Sequence, residues 1–266
     1  MLPKPYWHEM TTTDFLGPDV ENWIAVLPVA AIEQHGPHLP VFTDTAIANG
    51  QVRRVVELLP EDLPASFLPV QAVGKSNEHI SSPGTLTLTW ETVIQAWLEI
   101  GESVRRAGIR KLVIVNSHGG NVPLVDIVTR ELRVRHDMLV THTAWARFGQ
   151  PEGVFSENEL TFGIHGGDVE TSIMLHLHPE LVRMDKAENF RSSQEQFTQD
   201  FTYLRAHGQH QFGWKAQDLN PAGVVGNAAI ATAEKGKRSL DHAAEGFLQL
   251  LKDVDAFDLG RLWVKE

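Results

Sequence analysis

Apolar runs alternate with helical periodicity along this chain in the order that a parallel β-sheet requires. Ile24–Val29 is an almost unbroken apolar run and predicts a buried strand. Thr43 is a candidate N-cap for a helix through Leu58, with Ile47, Val52, Val55, Val56 and Leu59 as its buried stripe. Pro60 and Pro64 stop that helix. Residues 67–73 read as a second strand and residues 74–84 as a long loop. Thr89 opens a helix carrying Val93, Ile94, Trp97, Ile100 and Val104, and Gly108 closes it. Residues 111–115 predict the central strand, 116–121 a glycine-containing turn, and the segment after it a helix through Arg135. Residues 138–144 give a further strand. The segment from His165 opens another helix that ends near Pro179, and residues 239–254 form a last helix covering one face of the sheet. The polar, His- and Gln-rich stretch 186–213 is expected to be a lid or a subunit contact. No linker, repeat or low-complexity tract divides the chain, so one α/β domain over residues 1–266 is expected.

Chemistry concentrates in three loops, each following a predicted strand or opening a helix, where open α/β sheets bind their ligands. The first places Glu33, His35, His38 and Asp44 within twelve positions otherwise poor in charge. If the chain stays extended, Glu33 and His35 project to one side, because strand side chains alternate with period two. The second loop offers His118 and the third His165 and Glu170. Three carboxylates sharing a cleft would repel, and divalent cations would cancel their charge. Asp44, a short side chain at a helix start, is the candidate bridge between two ions. Each residue also has a plain structural reading: Asp44 as a helix-end charge, His118 as a turn hydrogen bond, Glu170 as a solvated acid. Only their conjunction across three loops points to a metal site.

Composition narrows the classes. A formal net charge of −11 argues against nucleic-acid or anionic-membrane partners, which need clustered Lys and Arg. The absence of cysteine removes disulfides, thiolate metal sites and a cysteine nucleophile. No apolar signal region or membrane-length run is visible, so a cytoplasmic enzyme is expected. Gly74-Lys-Ser76 looks like the end of a P-loop, but the required upstream glycine falls on Pro69. A serine hydrolase would need a Gly-x-Ser-x-Gly elbow, which is missing. Lys75, Ser76 and Glu78 could line a pocket or simply be solvated. For Trp145 and Trp214, core packing is expected over substrate stacking.

The segments Leu27-Pro-Val-Ala-Ala-Ile-Glu-Gln-His-Gly-Pro-His-Leu-Pro40, Thr43-Asp44, Asn116-Ser-His-Gly-Gly-Asn121 and His165-Gly-Gly-Asp-Val-Glu-Thr-Ser172 resemble the creatininase (creatinine amidohydrolase) family. Gly223-Val-Val-Gly-Asn227 is similar to the family's terminal Gly-rich segment. The resemblance implies a three-layer α/β/α sandwich with a mostly parallel sheet and two divalent ions per chain, zinc and/or manganese. It also implies a homo-oligomer, hexameric by family resemblance. Carried over, Glu33 and His118 would hold one ion, His35 and Glu170 the other, and Asp44 would bridge. His165 would be the catalytic residue, polarising substrate or returning a proton to the leaving nitrogen. The implied reaction is attack of a metal-bridged hydroxide on a carbonyl of a small cyclic amide or formamide-type substrate. Creatininases proper carry a glutamate where this chain has Gly120, which separates creatinine itself from the expectation. Other branches act on formamides, trim a peptide-derived precursor or open a ketocyclitol ring. Ring opening of a ketocyclitol or lactone-like polyol, or non-catalytic metal or sugar binding, are the competing readings.

Overall fold

A computed structural model describes residue 2 and residues 4–263. Four parallel strands form the central sheet in the order β2-β1-β3-β4. They are β1 (Ile24–Val29), β2 (Ala65–Phe67), β3 (Lys111–Asn116) and β4 (Leu139–Ala144). The crossovers are α1 (Thr43–Leu58) between β1 and β2, α2 (Trp90–Arg106) between β2 and β3, and α3 (Val122–His136) between β3 and β4. Beyond the sheet come α4 (Glu157–Phe162), α5 (Asp168–Leu177), α6 (Gln194–Asp200), α7 (Ala216–Leu219) and α8 (Ala233–Ala256). A short antiparallel pair, β5 (Asn189–Phe190) with β6 (Gly226–Asn227), lies among them.

The layers follow from strand alternation. From β1, Ala25, Leu27 and Val29 face one side and pack with Val93, Trp97, Val104, Val125, Val128 and Leu132 of α2 and α3. Ile24 and Val26 face the other side, against Val52 and Val55 of α1 and Ala244, Phe247 and Leu251 of α8. Both faces of β1 are therefore covered, which explains why its sequence is apolar throughout. Three layers, α/β/α, result. Among the described residues, no helix is long and apolar enough to cross a membrane.

Several boundaries differ from the sequence expectation for identifiable reasons. Thr43 is the first helical residue, not the cap, and its hydroxyl donates to the Pro40 carbonyl at 2.7 Å. The second strand is shorter than residues 67–73 and begins earlier. Pro69 interrupts it, although Leu68 and Gln71 still donate to the carbonyls of Val26 and Pro28. Pro28 is tolerated inside β1 because its missing donor faces this interrupted stretch, where its carbonyl accepts from Gln71. The last helix begins earlier than residue 239, at Ala233, capped by Thr232 accepting from the Lys235 amide. Thr89 caps α2 as expected, accepting from the Thr92 amide. Trp145 packs on Phe247 with ring centroids 4.9 Å apart, and Trp214 joins Phe197 and Phe212 around Ala206, Leu219 and Val225. The core role expected for both is observed.

Helix α8 presses against α5 at Gly236, where a Cβ would overlap the carbonyl of Ser172. Because that atom is backbone, no side-chain rotation relieves the clash. Gly236→Ala is expected to cost roughly 1–3 kcal/mol in chemical denaturation. Gly213→Ala, where nothing lies within 4 Å of the added Cβ, is the control and should leave the midpoint nearly unchanged. An unaltered midpoint for Gly236→Ala would show that the two helices are not tightly held.

Candidate metal centre

All four parallel strands point their carboxyl ends to one edge, and the titratable loops gather there. The chain leaving β1 stays extended long enough to deliver Glu33 and His35 into a single cluster with Asp44 of α1, all three buried. The turn after β3 delivers His118, and the segment entering α5 delivers His165 and Glu170. His118 Nδ1 stands 3.1 Å from Glu33 Oε1 and 3.4 Å from Asp44 Oδ2. His35 Nε2 stands 3.5 Å from Asp44 Oδ1 and 3.6 Å from Glu170 Oε2. The two oxygens of Asp44 thus face different imidazoles. His165 Nδ1 lies 3.6 Å from Glu33 Oε1. All six residues singled out from the sequence meet in this one place.

The outer nitrogen of each ring is occupied by main chain. His35 Nδ1 donates to the Glu33 carbonyl at 3.0 Å, His118 Nε2 to the Lys75 carbonyl at 2.9 Å, and His165 Nε2 to the Gln34 carbonyl at 2.8 Å. Each bond places a proton on the outer nitrogen and leaves the inner nitrogen to take either a proton or a cation. Glu33 Oε1, His35 Nε2 and Asp44 Oδ2 are fully buried without a hydrogen-bond partner. Buried polar atoms are rarely left unpaired. Carboxylate oxygens and imidazole nitrogens converging in this way suit a divalent cation of the zinc or manganese type.

Four further residues, His79, Gln34, Ser76 and Glu78, reach the cluster and were not assigned to it from the sequence. His79 Nε2 lies 3.5 Å from Glu33 Oε1, and its Nδ1 receives the Gln34 amide at 2.8 Å. Gln34 also donates to the Gly223 carbonyl at 2.6 Å, so the Gly-rich terminal segment braces the site. Ser76 donates to Glu33, and Glu78 Oε1 lies 3.3 Å from His118 Nε2. The available signal was the adjacent Glu78 and His79 in a loop leaving a strand's carboxyl end. His38 stands apart: its Nε2 donates within reach of Gly166 O and Thr171 Oγ1, both 3.0 Å away, and its ring stacks on Phe190.

Residues 8–251 match the family model of creatininase, described as creatinine amidohydrolase. The chain belongs to the creatininase family. It is 33% identical over 223 residues to a mycofactocin precursor peptide peptidase of Mycobacterium ulcerans, covering 82% of this chain and 80% of that protein. It is 28% identical over 251 residues to a creatinine amidohydrolase of Pseudomonas putida, covering 86% and 89%. A solved manganese form of creatininase shares the fold with a TM-score of 0.75 and 24% identity, over 94% of this chain and 98% of that one. As a member of this family the chain is a hydrolase of amide bonds, with a cluster able to bind metal.

Charge in the cluster is balanced by protons when no cation balances it. Burial alone would make His35 less basic, yet Asp44, Glu170 and Glu33 outweigh it and raise its pKa to about 10. His118 is likewise held well above the ordinary imidazole range, burial being overcome by Glu33, Glu78 and Asp44. Burial and the Glu33 charge push Asp44 up to about 7. Glu33 stays well below the usual carboxylate range despite burial, because His118, His165 and His79 surround it. Burial, with the neighbouring His35 and His79, holds His165 well below its usual value.

A group whose pKa is raised on folding stabilises the fold fully below its unfolded value and loses that contribution as pH rises through the folded value. For His35 this window runs from 6.5 to about 10, and His118 shifts in the same direction. Chelator-treated protein is therefore expected to lose thermal stability steadily between pH 6.5 and 10, while protein loaded with Zn2+ should not. Melting curves across that range check this; parallel profiles for the two forms would contradict it.

Proposed function

We propose that this chain is a dinuclear amidohydrolase whose own residues hold two divalent cations: Glu33 and His118 one, His35 and Glu170 the other, with Asp44 shared. The observation that carries this reading is the convergence of Glu33 Oε1, His35 Nε2 and Asp44 Oδ2, buried and unpartnered, along the one stretch that runs from β1 into α1. When bound, such a pair polarises a carbonyl and makes water acidic enough to serve as a nucleophile near neutral pH. The protein supplies the rest. Main-chain carbonyls hold the three imidazoles in the orientation needed. His165, the histidine of the third motif, would polarise the substrate or return a proton to the leaving nitrogen as the C–N bond breaks.

Beside His118 and Glu170 lies a cavity of about 560 Å³, within the range of small-molecule sites. Its walls include Ile47, Val122, Trp145, Leu160, Ile164 and Ile173, and no Lys or Arg lines it among the described residues. These walls, which also carry Glu159 and Glu170, argue against an anionic substrate and support one with an apolar body, presenting a cyclic amide or formamide-type carbonyl. Gly120 supports a substrate other than creatinine. A second reading, cleavage of a short peptide, is favoured by the 33% identity to a precursor-peptide peptidase. Zinc or manganese fits the donor set, and a cytoplasmic homo-oligomer, hexameric by family resemblance, completes the proposal.

Metal analysis of purified protein is expected to return about two equivalents per chain. Asp44→Ala should lose both; full retention would remove Asp44 from the shared position. Turnover assays on creatinine, formamidopyrimidines, cyclic amides, ketocyclitols and short peptides then separate the substrates. Hydrolysis of a cyclic amide or formamide supports the first reading, and hydrolysis of peptides alone the second. His165→Ala should lower kcat on the accepted substrate by roughly 10²–10⁴-fold with metal content unchanged.

A further inference from the structure

Gly120 and Glu78 lie on different loops yet compete for one space. A Cβ built on Gly120 would come within 2.5 Å of His118 Nε2 and of the Lys75 carbonyl, and closer still to Glu78 Oε1. Any side chain at position 120 would therefore displace the Glu78 carboxylate from its place beside His118. Such a side chain is what the family pattern expects in creatininases proper, and here the acid at this point comes from the loop after β2.

That loop is pinned, not free. The Lys75 amide donates to Asn121 Oδ1 at 3.0 Å, the Ser76 amide to Thr87 Oγ1 at 2.8 Å, and the Leu88 amide to the Gly74 carbonyl at 3.1 Å. Residues 77–79 form a single 3-10 turn that carries Glu78 inward, and its side chain is only 16% exposed. Three oxygens consequently surround His118 Nε2: the Lys75 carbonyl at 2.9 Å, Ser76 Oγ at 3.2 Å and Glu78 Oε1 at 3.3 Å. Oxygen acceptors on that side require Nε2 to carry the proton. The opposite nitrogen, Nδ1, faces Glu33 and Asp44 with its lone pair. Glu78 is thus behind the imidazole, on the side away from the shared Asp44.

We propose that Glu78 is a positioning residue for the metal centre: through the gap left by Gly120, its carboxylate holds His118 and strengthens its Nδ1 as a ligand. The carbonyl of Lys75 sets the tautomer. The negative charge of Glu78 adds what a carbonyl cannot, drawing the Nε2 proton outward and leaving more electron density at Nδ1. Carboxylates behind metal-binding histidines commonly change metal affinity by 10–100-fold when removed. Gly120 and Glu78 are therefore coupled through His118: the bare glycine leaves the space the acid occupies, whereas a Cβ there would also press on His118 Nε2 and the Lys75 carbonyl. This inference rests on the reading that His118 holds a cation.

The test is Zn2+ affinity, measured by competition with a chromophoric chelator, for wild type, Glu78→Gln, Glu78→Ala, Gly120→Ala and the Glu78→Ala/Gly120→Ala double variant. Wild type is measured first, and failure to bind Zn2+ would overturn the underlying metal reading. Given wild-type binding, Glu78→Ala is expected to weaken the more affected ion by about 10–100-fold. Glu78→Gln, which keeps an oxygen but no charge, should lose less. Gly120→Ala, which crowds His118 Nε2 and the Lys75 carbonyl as well as Glu78, should weaken binding at least as much as Glu78→Ala. The double variant should lose less than the sum of the two, because the Glu78 contact is removed only once. Melting temperatures of the chelator-treated variants report folding separately. Wild-type affinity in Glu78→Ala would overturn the inference. Additive losses in the double variant would overturn the pairing with Gly120.

Discussion

The structure depends on a concentration of carboxylate oxygens and imidazole lone pairs where water does not reach. Glu33 and Asp44 are buried almost completely, and Glu170 closes the same cluster from its edge. At about 4 Å and an effective dielectric near 20, two like charges repel by about 4 kcal/mol. Such an arrangement persists only if positive charge enters it, as protons on His35 and His118 or as metal cations. The imidazoles cannot turn away to relieve the strain, because a main-chain carbonyl occupies the outer nitrogen of each. What looks like electrostatic frustration is therefore the property that makes the cluster able to hold a cation.

The fold supplies the rigidity this requires. Parallel strands share a direction, so the loops from β1, β2 and β3 leave the sheet at one edge without any long excursion. The fourth contribution comes from α5, which is not part of the strand sequence and must be anchored otherwise. Its close approach to α8 at Gly236 is one anchor. The other is Glu159 of α4, whose carboxylate accepts from the amides of Asp168 at 2.6 Å and Asn227 at 2.8 Å. That buried acid ties the start of α5 to the terminal Gly-rich segment, and so fixes the segment that carries His165 and Glu170. Family membership and the metal cluster thus rest on shared architecture. Beside the cluster lies a cavity whose walls come from α1, α3, α4, α5, α8, the end of β4 and the turn after β3.

Much of the architecture was readable in the chain because it depends on local periodicity. The apolar run of β1, the stripe of α2 and the turn after β3 all lie where the pattern put them. The period-two alternation that should bring Glu33 and His35 to one side does so, since the chain remains extended past β1. The errors fall where a neighbour decided the outcome. Residues 67–73 carry strand-like residues, but around Pro69 the regular ladder gives way to isolated bonds from Leu68 and Gln71 to β1. Thr43 has the composition of a cap, but the carbonyl of Pro40 takes its hydroxyl. Glu78 could be read only as either pocket-lining or solvated, and His79 not at all, because nothing local says which way a loop's side chains turn.

The sequence by itself determined the α/β class, the family, and which acids and histidines sit at the ends of strands, because periodicity and short motifs are properties of neighbours along the chain. Only the tertiary structure decided which lone pairs are left bare, that His79 and Glu78 join the cluster, and that Gly120 leaves room for an acid from another loop. Those outcomes depend on atoms 40 or more positions apart in sequence meeting within a few ångströms, and no local pattern encodes such a distance.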